Sequence, residues 1–246
     1  MGFYAGFQSP VLNWMKAFCL AAGHGTRLKP LTNNLPKCLV PVRGKPMLGV
    51  WLDIFRRFGI TEVMINIHSH VEAVRNFVES NRGAVNVTIA EEKTLLGSAG
   101  TLRAKRDWLG DEKDFWVFYA DVYNEVDLSA MLAFHHTHPA ALATIGLYRV
   151  ADPPRCGIAE LGRDGLVVSF EEKPKSPKSD LAFAGIMLAS SSILDLIPSP
   201  EEKPFADIGF DLLPKLVGKM YGYMIREYLI DIGTMENYQK VQQECR

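Results

Sequence analysis

The chain has 246 residues, of which 48% are hydrophobic and 22% are charged, and its formal net charge is −1. This length allows one α/β domain with a large core, or at most two small domains. A net charge so close to zero gives no electrostatic argument for binding nucleic acid or an anionic membrane, and we expect neither partner.

We predict that the first fourteen residues form an extension that precedes the folded domain. They lack the cationic start and the small-residue cleavage site of a secretory leader. No uncharged apolar run in the sequence is long enough to span a bilayer. The four cysteines lie far apart, without metal or redox spacing, which is typical of thiols in a reducing cytosol. We therefore predict a flexible extension at 1–14, a single domain at 15–246 and a cytoplasmic location.

An apolar strand at 17–22 leads directly into a glycine-rich loop at 23–27, which reads GHGTR. Glycines let the backbone turn tightly and bring N–H groups close to a ligand. Successive N–H groups in such a turn can bind an anion. Arg27 adds a guanidinium suited to phosphate oxygens, and Lys37 follows on a loop rich in proline. Together these features predict a triphosphate site.

Strands and helices then alternate. Apolar residues recur at intervals of three and four from Met47 to Phe58, and Gly59 is placed to end this helix. Further elements are predicted as strands at 62–67, 85–90 and 115–119 and helices at 71–79 and 97–108. This alternation predicts a mostly parallel sheet with helices on both faces, in which ligands bind beyond the carboxyl ends of the strands.

Strands dominate the second half of the sequence. A hairpin is predicted to pair 157–161 with 166–170 through the turn Arg163-Asp164-Gly165. The remaining elements are predicted as strands at 141–150 and 182–189, a helix at 207–217, two strands at 221–228 and 229–234 that close the sheet, and a final amphipathic helix.

The glycine loop belongs to a longer pattern, LAAGHGTRLKPLT followed by PKCLVPV. Neither the dinucleotide fingerprint, which needs glycine where Leu28 stands, nor the Walker loop fits it. The pattern resembles the signature of the sugar-1-phosphate nucleotidylyltransferases, or nucleotide-sugar pyrophosphorylases, and most of all the short bacterial heptose- and mannose-1-phosphate guanylyltransferases. The resemblance covers Met15 to about Gln242. It implies a Rossmann-like, three-layer α/β fold of the nucleotide-diphospho-sugar transferase type, with a mixed, mostly parallel sheet.

The resemblance also implies an activity: transfer of a nucleoside monophosphate from an NTP to a sugar 1-phosphate, which yields an NDP-sugar and pyrophosphate, with Mg²⁺ as the cofactor. Asp121 and Asp231, which both follow apolar runs, correspond to the two metal ligands. Mg²⁺ prefers one or two carboxylates together with phosphate oxygens. By the same resemblance Arg27 holds the leaving pyrophosphate, while Lys37 and Lys173 neutralise the reacting phosphates.

The nucleotide is expected to contact residues around the glycine loop and at the start of the helix at 97–108. Glu92 is expected to face the edge of the base, where a carboxylate can accept from guanine, and this favours GTP with a heptose- or mannose-type sugar phosphate. The residues assigned to the nucleotide are Leu20, Ala22, Gly23, Gly25, Thr26, Arg27, Glu92, Gly97 and Ser98.

The sugar phosphate is assigned by resemblance to Gly157, Glu172, Lys173, Phe183 and Gly185. In the Glu-Lys-Pro motif, Lys173 binds the phosphate and Glu172 a sugar hydroxyl. Phe183 stands where many relatives use an asparagine to bind a sugar hydroxyl. A ring facing the site favours a deoxy or N-acyl sugar, because an unpaired hydroxyl against it costs roughly 1–3 kcal/mol. The alternative is that the ring turns into the core.

Other functions remain open at this point. The chain could use UTP or dTTP with another sugar 1-phosphate, act as a phosphocholine cytidylyltransferase, or be a non-catalytic regulatory subunit that binds nucleotide-sugars. The presence of all five catalytic candidates argues against the last alternative. The oligomeric state is open as well, and a homo-oligomer is among the alternatives.

Overall fold

The computed structural model describes residues 15–244, so the predicted extension at 1–14 lies outside the described residues. The strands are β1 (Ala17–Leu20), β2 (Pro41–Val42), β3 (Lys45–Pro46), β4 (Glu62–Ile67), β5 (Asn86–Glu91), β6 (Asp114–Tyr119), β7 (Val122–Asn124), β8 (Ala143–Arg149), β9 (Gly157–Leu161), β10 (Val167–Glu172), β11 (Leu181–Ser190), β12 (Met220–Met224) and β13 (Leu229–Asp231). The α-helices are α1 (Met47–Phe58), α2 (Val71–Asn81), α3 (Ser98–Ala104), α4 (Leu128–His136) and α5 (Met235–Gln243).

The central sheet has the order β10-β9-β11-β6-β1-β4-β5, and β8 and β12 extend it from β11. The strands β6, β1, β4 and β5 pair in parallel. The second half of the chain adds antiparallel pairs, because β11 runs against β6, β8 and β9. The predicted mixed α/β fold, with a parallel central part, is confirmed.

Side chains of the central strands alternate between two buried clusters. In β1, Ala17 and Cys19 face the cluster that contains α1, while Phe18 faces the cluster that contains α3. Because successive side chains of a strand point to opposite faces, a strand that is apolar throughout must be covered on both sides. Helices therefore form the outer layers of a three-layer fold. None of the helices between residues 15 and 244 combines the length and apolar character needed to cross a membrane.

Several local predictions are confirmed within one or two residues. The helix predicted from Met47 ends at Phe58, followed by Gly59 in the left-handed region (φ 70°). The predicted strand at 62–67 is β4, and the predicted hairpin is the antiparallel pair β9–β10.

Two predictions about the last third of the chain are wrong. The segment predicted as a helix at 207–217 forms a wide turn at Ile208–Leu212 and a 3₁₀ turn at Leu213–Leu216. Pro214 has no N–H to donate to an α-helical hydrogen bond, and Asp207 accepts the N–H groups of Gly209 and Phe210.

The second correction concerns the strand predicted at 229–234. It was expected to close the central sheet, but β13 instead pairs antiparallel with β7 in a separate two-stranded sheet. Only β12 joins the central sheet, parallel to β8.

The end of α1 provides a test of the fold. Replacing Gly59 by alanine should lower the free energy of unfolding by about 1 kcal/mol, because a Cβ is disfavoured in the left-handed region. Gly59→Asn should lose less, since asparagine tolerates this conformation. Urea denaturation measures both. Equal stability of Gly59→Ala and the wild type would mean that the left-handed end of α1 is not required.

Candidate functional site

A cavity of about 390 Å³ lies at the carboxyl ends of β1 and β6. The loop at 20–27 forms one wall, and Ala120 and Asp121, which follow β6, line it as well. Phe205 and Asp207 line it from a different part of the chain. All nine residues assigned to the nucleotide from the sequence line this cavity.

The glycine loop is held in place from both ends. At its start, the Ala21 N–H donates to Asn66 Oδ1 at 2.8 Å, which ties the loop to the end of β4. Further on, Gly25 has a left-handed backbone (φ 62°), and the Thr32 hydroxyl donates to its carbonyl at 2.7 Å. A Cβ at Gly25 would lie 3.0 Å from Thr32 Cγ2, so a side chain there would force the two segments apart. The loop is therefore a preformed concave surface of backbone.

Four charged side chains, Arg27, Lys37, Asp121 and Asp231, form what we call the charged cluster. Lys37 makes an ion pair with Asp121. A Cβ built on Gly233 would lie 2.7 Å from Asp231 Oδ1, 3.0 Å from Arg27 Nη2 and 3.1 Å from Lys37 Nζ. Three of the four groups thus meet around one point, and only a glycine fits beside them.

The small sheet β7–β13 brings the two aspartates together. Asp231 is paired in register with Val122, the residue after Asp121, and the Ile232 N–H donates to the Asp121 carbonyl at 2.9 Å. The Gly233 N–H in turn donates to Asp231 Oδ1 at 2.6 Å. Two carboxylates more than a hundred residues apart in sequence are fixed side by side by backbone hydrogen bonds.

Placing the carboxylates of Asp121 and Asp231 side by side in a buried position costs electrostatic free energy. Burial raises the pKa of Asp231, and the neighbouring charge of Asp121 raises it further, while Lys37 and Arg27 oppose the shift. A carboxylate pair in such a position is stabilised by added positive charge. Within residues 15–244 no group of three or more His, Cys, Asp or Glu side chains could hold a metal ion. Two carboxylates are nevertheless enough for Mg²⁺, whose other ligands are waters and substrate phosphates. The donor set thus fits that ion.

Glu92 lies in a buried hydrogen-bond network beneath the loop. Its Oε1 accepts from Asn66 Nδ2 at 2.8 Å and from the Thr101 hydroxyl at 2.5 Å. Its Oε2 accepts from the Leu96 N–H at 3.2 Å. The carboxylate lines the cavity but is only 4% exposed. It links the glycine loop, through Asn66, to the start of α3.

The residues assigned to the sugar phosphate lie outside the lining of this cavity, on the antiparallel side of the sheet. Glu172 Oε2 sits between Gly157 and Gly209, and a Cβ on either glycine would collide with it. Lys173 has a left-handed backbone (φ 53°), which is rare for a residue with a side chain. Residues in this conformation are often found at functional sites. Its ammonium lies 3.9 Å from the Glu172 carboxylate.

Tyr119 connects the two regions. Tyr119 lines the cavity, and its ring makes an edge contact with the Phe183 ring, with 5.7 Å between the ring centroids. Gly185 lies beneath it, where a Cβ would be 2.9 Å from Tyr119 Cβ. Burial raises the pKa of Glu172, and the charge of Asp207 raises it further. Phe183 is half-buried and packs on Tyr119. Its contact with the cavity is therefore indirect, by way of Tyr119.

Several cavity residues were not predicted from the sequence. Asn66 is a polar residue in the buried, otherwise apolar part of β4 that follows Glu62, which is a signal that could have identified it. Tyr119 directly precedes the predicted Ala120-Asp121 pair. Asp207 and Phe205 carry no local signal, because they reach the cavity from a segment that was expected to lie near an ordinary helix.

Comparison with known proteins identifies the family of the chain. The Nucleotidyl transferase family model matches residues 16–246. Mannose-1-phosphate guanylyltransferase 1 of Arabidopsis thaliana is 34% identical over 231 residues, covering 91% of this chain and 63% of the relative. Mannose-1-phosphate guanyltransferase of Schizosaccharomyces pombe is 32% identical, covering 91% of this chain and 62% of the relative. The chain thus spans just under two thirds of the length of these relatives.

A solved structure provides a match over nearly the whole chain. It is that of a provisionally named glucose-1-phosphate thymidylyltransferase from Bacillus anthracis in complex with a sucrose. It superposes with a TM-score of 0.84 at 26% identity and covers 95% of this chain and 97% of its own. Fold, glycine loop and family model agree, and the chain belongs to the nucleotidyl transferase family.

Proposed function

We propose that this protein transfers a nucleoside monophosphate from an NTP to a sugar 1-phosphate, with GTP and a mannose- or heptose-type sugar phosphate as its substrates. The observation that carries the proposal is the charged cluster beside the glycine loop. A backbone anion cradle, two cations and two adjacent carboxylates are the groups that phosphoryl and nucleotidyl transfer use for positioning and charge stabilisation.

In the proposed reaction, a phosphate oxygen of the sugar 1-phosphate attacks the α-phosphorus of the NTP. A new P–O bond forms, the bond between the α-phosphorus and the bridging oxygen breaks, and pyrophosphate leaves. The attacking phosphate is already ionised at neutral pH, so no residue is needed as a general base. The task of the protein is to bring two polyanions together in line.

We assign this task to the charged cluster and Lys173. The N–H groups of the glycine loop and Arg27 hold the β- and γ-phosphates, which become the pyrophosphate. Lys37 neutralises charge at the α-phosphate, and its ion pair with Asp121 fixes its position. Asp121 and Asp231 would hold Mg²⁺, which supplies a Lewis acid to the phosphate oxygens when bound. Lys173 approaches from the opposite side with the sugar phosphate, and Glu172 accepts from a sugar hydroxyl.

The choice of base and sugar has separate support. Guanine is favoured by the names of the relatives in Arabidopsis thaliana and Schizosaccharomyces pombe. A role for Glu92 at the edge of the base depends on Oε2, which accepts one protein N–H and has capacity for another donor. Phe183 packs on Tyr119 at the border of the cavity, which supports a sugar with an apolar face there. We also propose a cytoplasmic location, because the three cysteines that the structure describes, Cys19, Cys38 and Cys156, are all free thiols.

A substrate panel tests the proposal. The purified chain is mixed with Mg²⁺, each of GTP, ATP, UTP and CTP, and each of several phosphorylated acceptors, and pyrophosphate release is measured. We expect the fastest release with GTP and mannose 1-phosphate or a heptose 1-phosphate, and none in EDTA. Release with CTP and phosphocholine would replace the proposal by a cytidylyltransferase. Tight nucleotide-sugar binding with no release from any pair would identify a regulatory protein.

The carboxylates can be tested by an isosteric change. Asp231→Asn keeps an oxygen to accept the Gly233 N–H but removes the charge. Turnover should fall at least about a hundredfold, since the Lewis acid lost is worth several kcal/mol to the transition state. The exposed Asp195, which pairs with Arg106, serves as the matched control, and Asp195→Asn should retain turnover. Undiminished turnover in a folded Asp231→Asn protein would remove this residue from the mechanism.

The two lysines should differ in their kinetic effects. Lys173→Ala should raise the KM for the sugar phosphate about tenfold or more, since a charge-assisted hydrogen bond is worth about 1.5–3 kcal/mol. Lys37→Ala should mainly lower kcat, because its partner is the α-phosphate in the transition state. Lys45, which pairs with Asp53 on α1, provides a control position. Equal effects of both substitutions on KM and kcat would show that the roles were wrongly divided.

A further inference from the structure

Three large apolar side chains are exposed within residues 15–244: Val168, Phe205 and Phe210. A single exposed apolar residue is ordinary. Phe205 differs from the other two because this residue, although 52% exposed, lines the cavity. An aromatic ring at the wall of a cavity offers one open face to whatever enters.

The backbone beside Phe205 is held rigidly by the start of α3. The Ala206 N–H donates to the Leu96 carbonyl at 2.9 Å, and the Ala206 carbonyl accepts from the Ala99 and Gly100 N–H groups at 3.0 Å. A Cβ at Gly97 would collide with the Ala206 carbonyl, so the two segments touch directly.

The next residues add to this attachment. The Ser98 hydroxyl donates to Asp207 Oδ2 at 2.9 Å and accepts from the Ile208 N–H at 2.7 Å. With the backbone fixed in this way, only the two side-chain torsions of Phe205 remain to be ordered when its ring contacts a ligand.

The position of Phe205 indicates which part of a nucleotide it would meet. The adjacent Ala206 contacts Leu96 and Gly97, in the loop between β5 and α3, and Leu95 of the same loop lines the cavity with Phe205. The phosphate-binding groups belong to the glycine loop and the charged cluster instead. Phe210, on the same segment, lies on the side of the sugar-phosphate residues, where the Lys173 ammonium is 5.6 Å from its ring centroid.

We propose that Phe205 is the platform on which the nucleobase stacks, and that this contact makes the protein favour purine over pyrimidine nucleotides. The inference rests on the proposed function, since it takes the cavity to bind an NTP. Stacking on an aromatic ring is open to every base, but a purine covers more of the ring than a pyrimidine does. Phe205 therefore discriminates by the size of the base, independently of any hydrogen bond to the edge of the base.

Nucleotide binding without turnover tests this proposal. Dissociation constants for GTP, ATP, UTP and CTP are measured by titration calorimetry with Mg²⁺ and without an acceptor. Phe205→Ala should weaken GTP and ATP about tenfold, the equivalent of about 1.4 kcal/mol, and UTP and CTP by roughly threefold or less. Phe205→Tyr should restore the wild-type order, because it retains the ring. Phe205→Leu, apolar but without a ring, should recover only part of the purine affinity.

Phe210→Ala is the matched control, since it removes an equally exposed ring from the same segment, and it should leave all four dissociation constants unchanged. Unaltered GTP binding in Phe205→Ala, or equal loss for purines and pyrimidines, would overturn the stacking proposal while leaving nucleotide transfer intact. Failure of the wild-type chain to bind any of the four nucleotides would instead overturn the proposed function. Thermal unfolding of each variant identifies any change that comes from stability.

Discussion

The pairing of β7 with β13 is the constraint on which the site depends. It places Asp121 and Asp231 next to each other in a partly buried position, where two like charges repel and water cannot screen them well. Such a pair persists only if positive charge is close by. Lys37 and Arg27 supply it, and both come from the segment that also contains the glycine loop. The electrostatic requirement of the carboxylates therefore brings the anion-binding loop to the same place.

The loop itself is shaped by hydrogen bonds beneath it. Asn66, at the end of β4, accepts from the Ala21 N–H and donates to Glu92 and Thr101. Every one of these groups is buried or nearly so, and an unpaired polar group in such a position would be costly. Loop, strand end and helix start are consequently fixed relative to one another before any ligand arrives. A preorganised cradle avoids the entropy cost of ordering a flexible loop around a triphosphate.

The antiparallel half of the sheet provides a second, distinct surface. Glycines at 157 and 209 leave just enough room for the Glu172 carboxylate, and the left-handed backbone of Gly185 lets β11 pass under Tyr119. Because Tyr119 contacts both regions, a substitution among the sugar-phosphate residues can shift Tyr119 and alter the shape of the cavity. We therefore propose that the nucleotide and the sugar phosphate bind on the two sides of Tyr119.

The sequence alone determined what depends on neighbours along the chain. Apolar spacing and Gly59 defined α1, the turn Arg163-Asp164-Gly165 between two strand-like runs defined the β9–β10 hairpin, and the glycine-rich pattern from Leu20 onward identified the family. Only the tertiary structure decided which distant groups meet. It pairs β13 with β7 instead of the central sheet, and it places Phe205 at the cavity. It also engages Glu92 Oε1 in hydrogen bonds from Asn66 and Thr101. The physical reason is that strand pairing and the satisfaction of buried polar groups are settled by contacts between residues far apart in sequence, about which the local pattern carries no information.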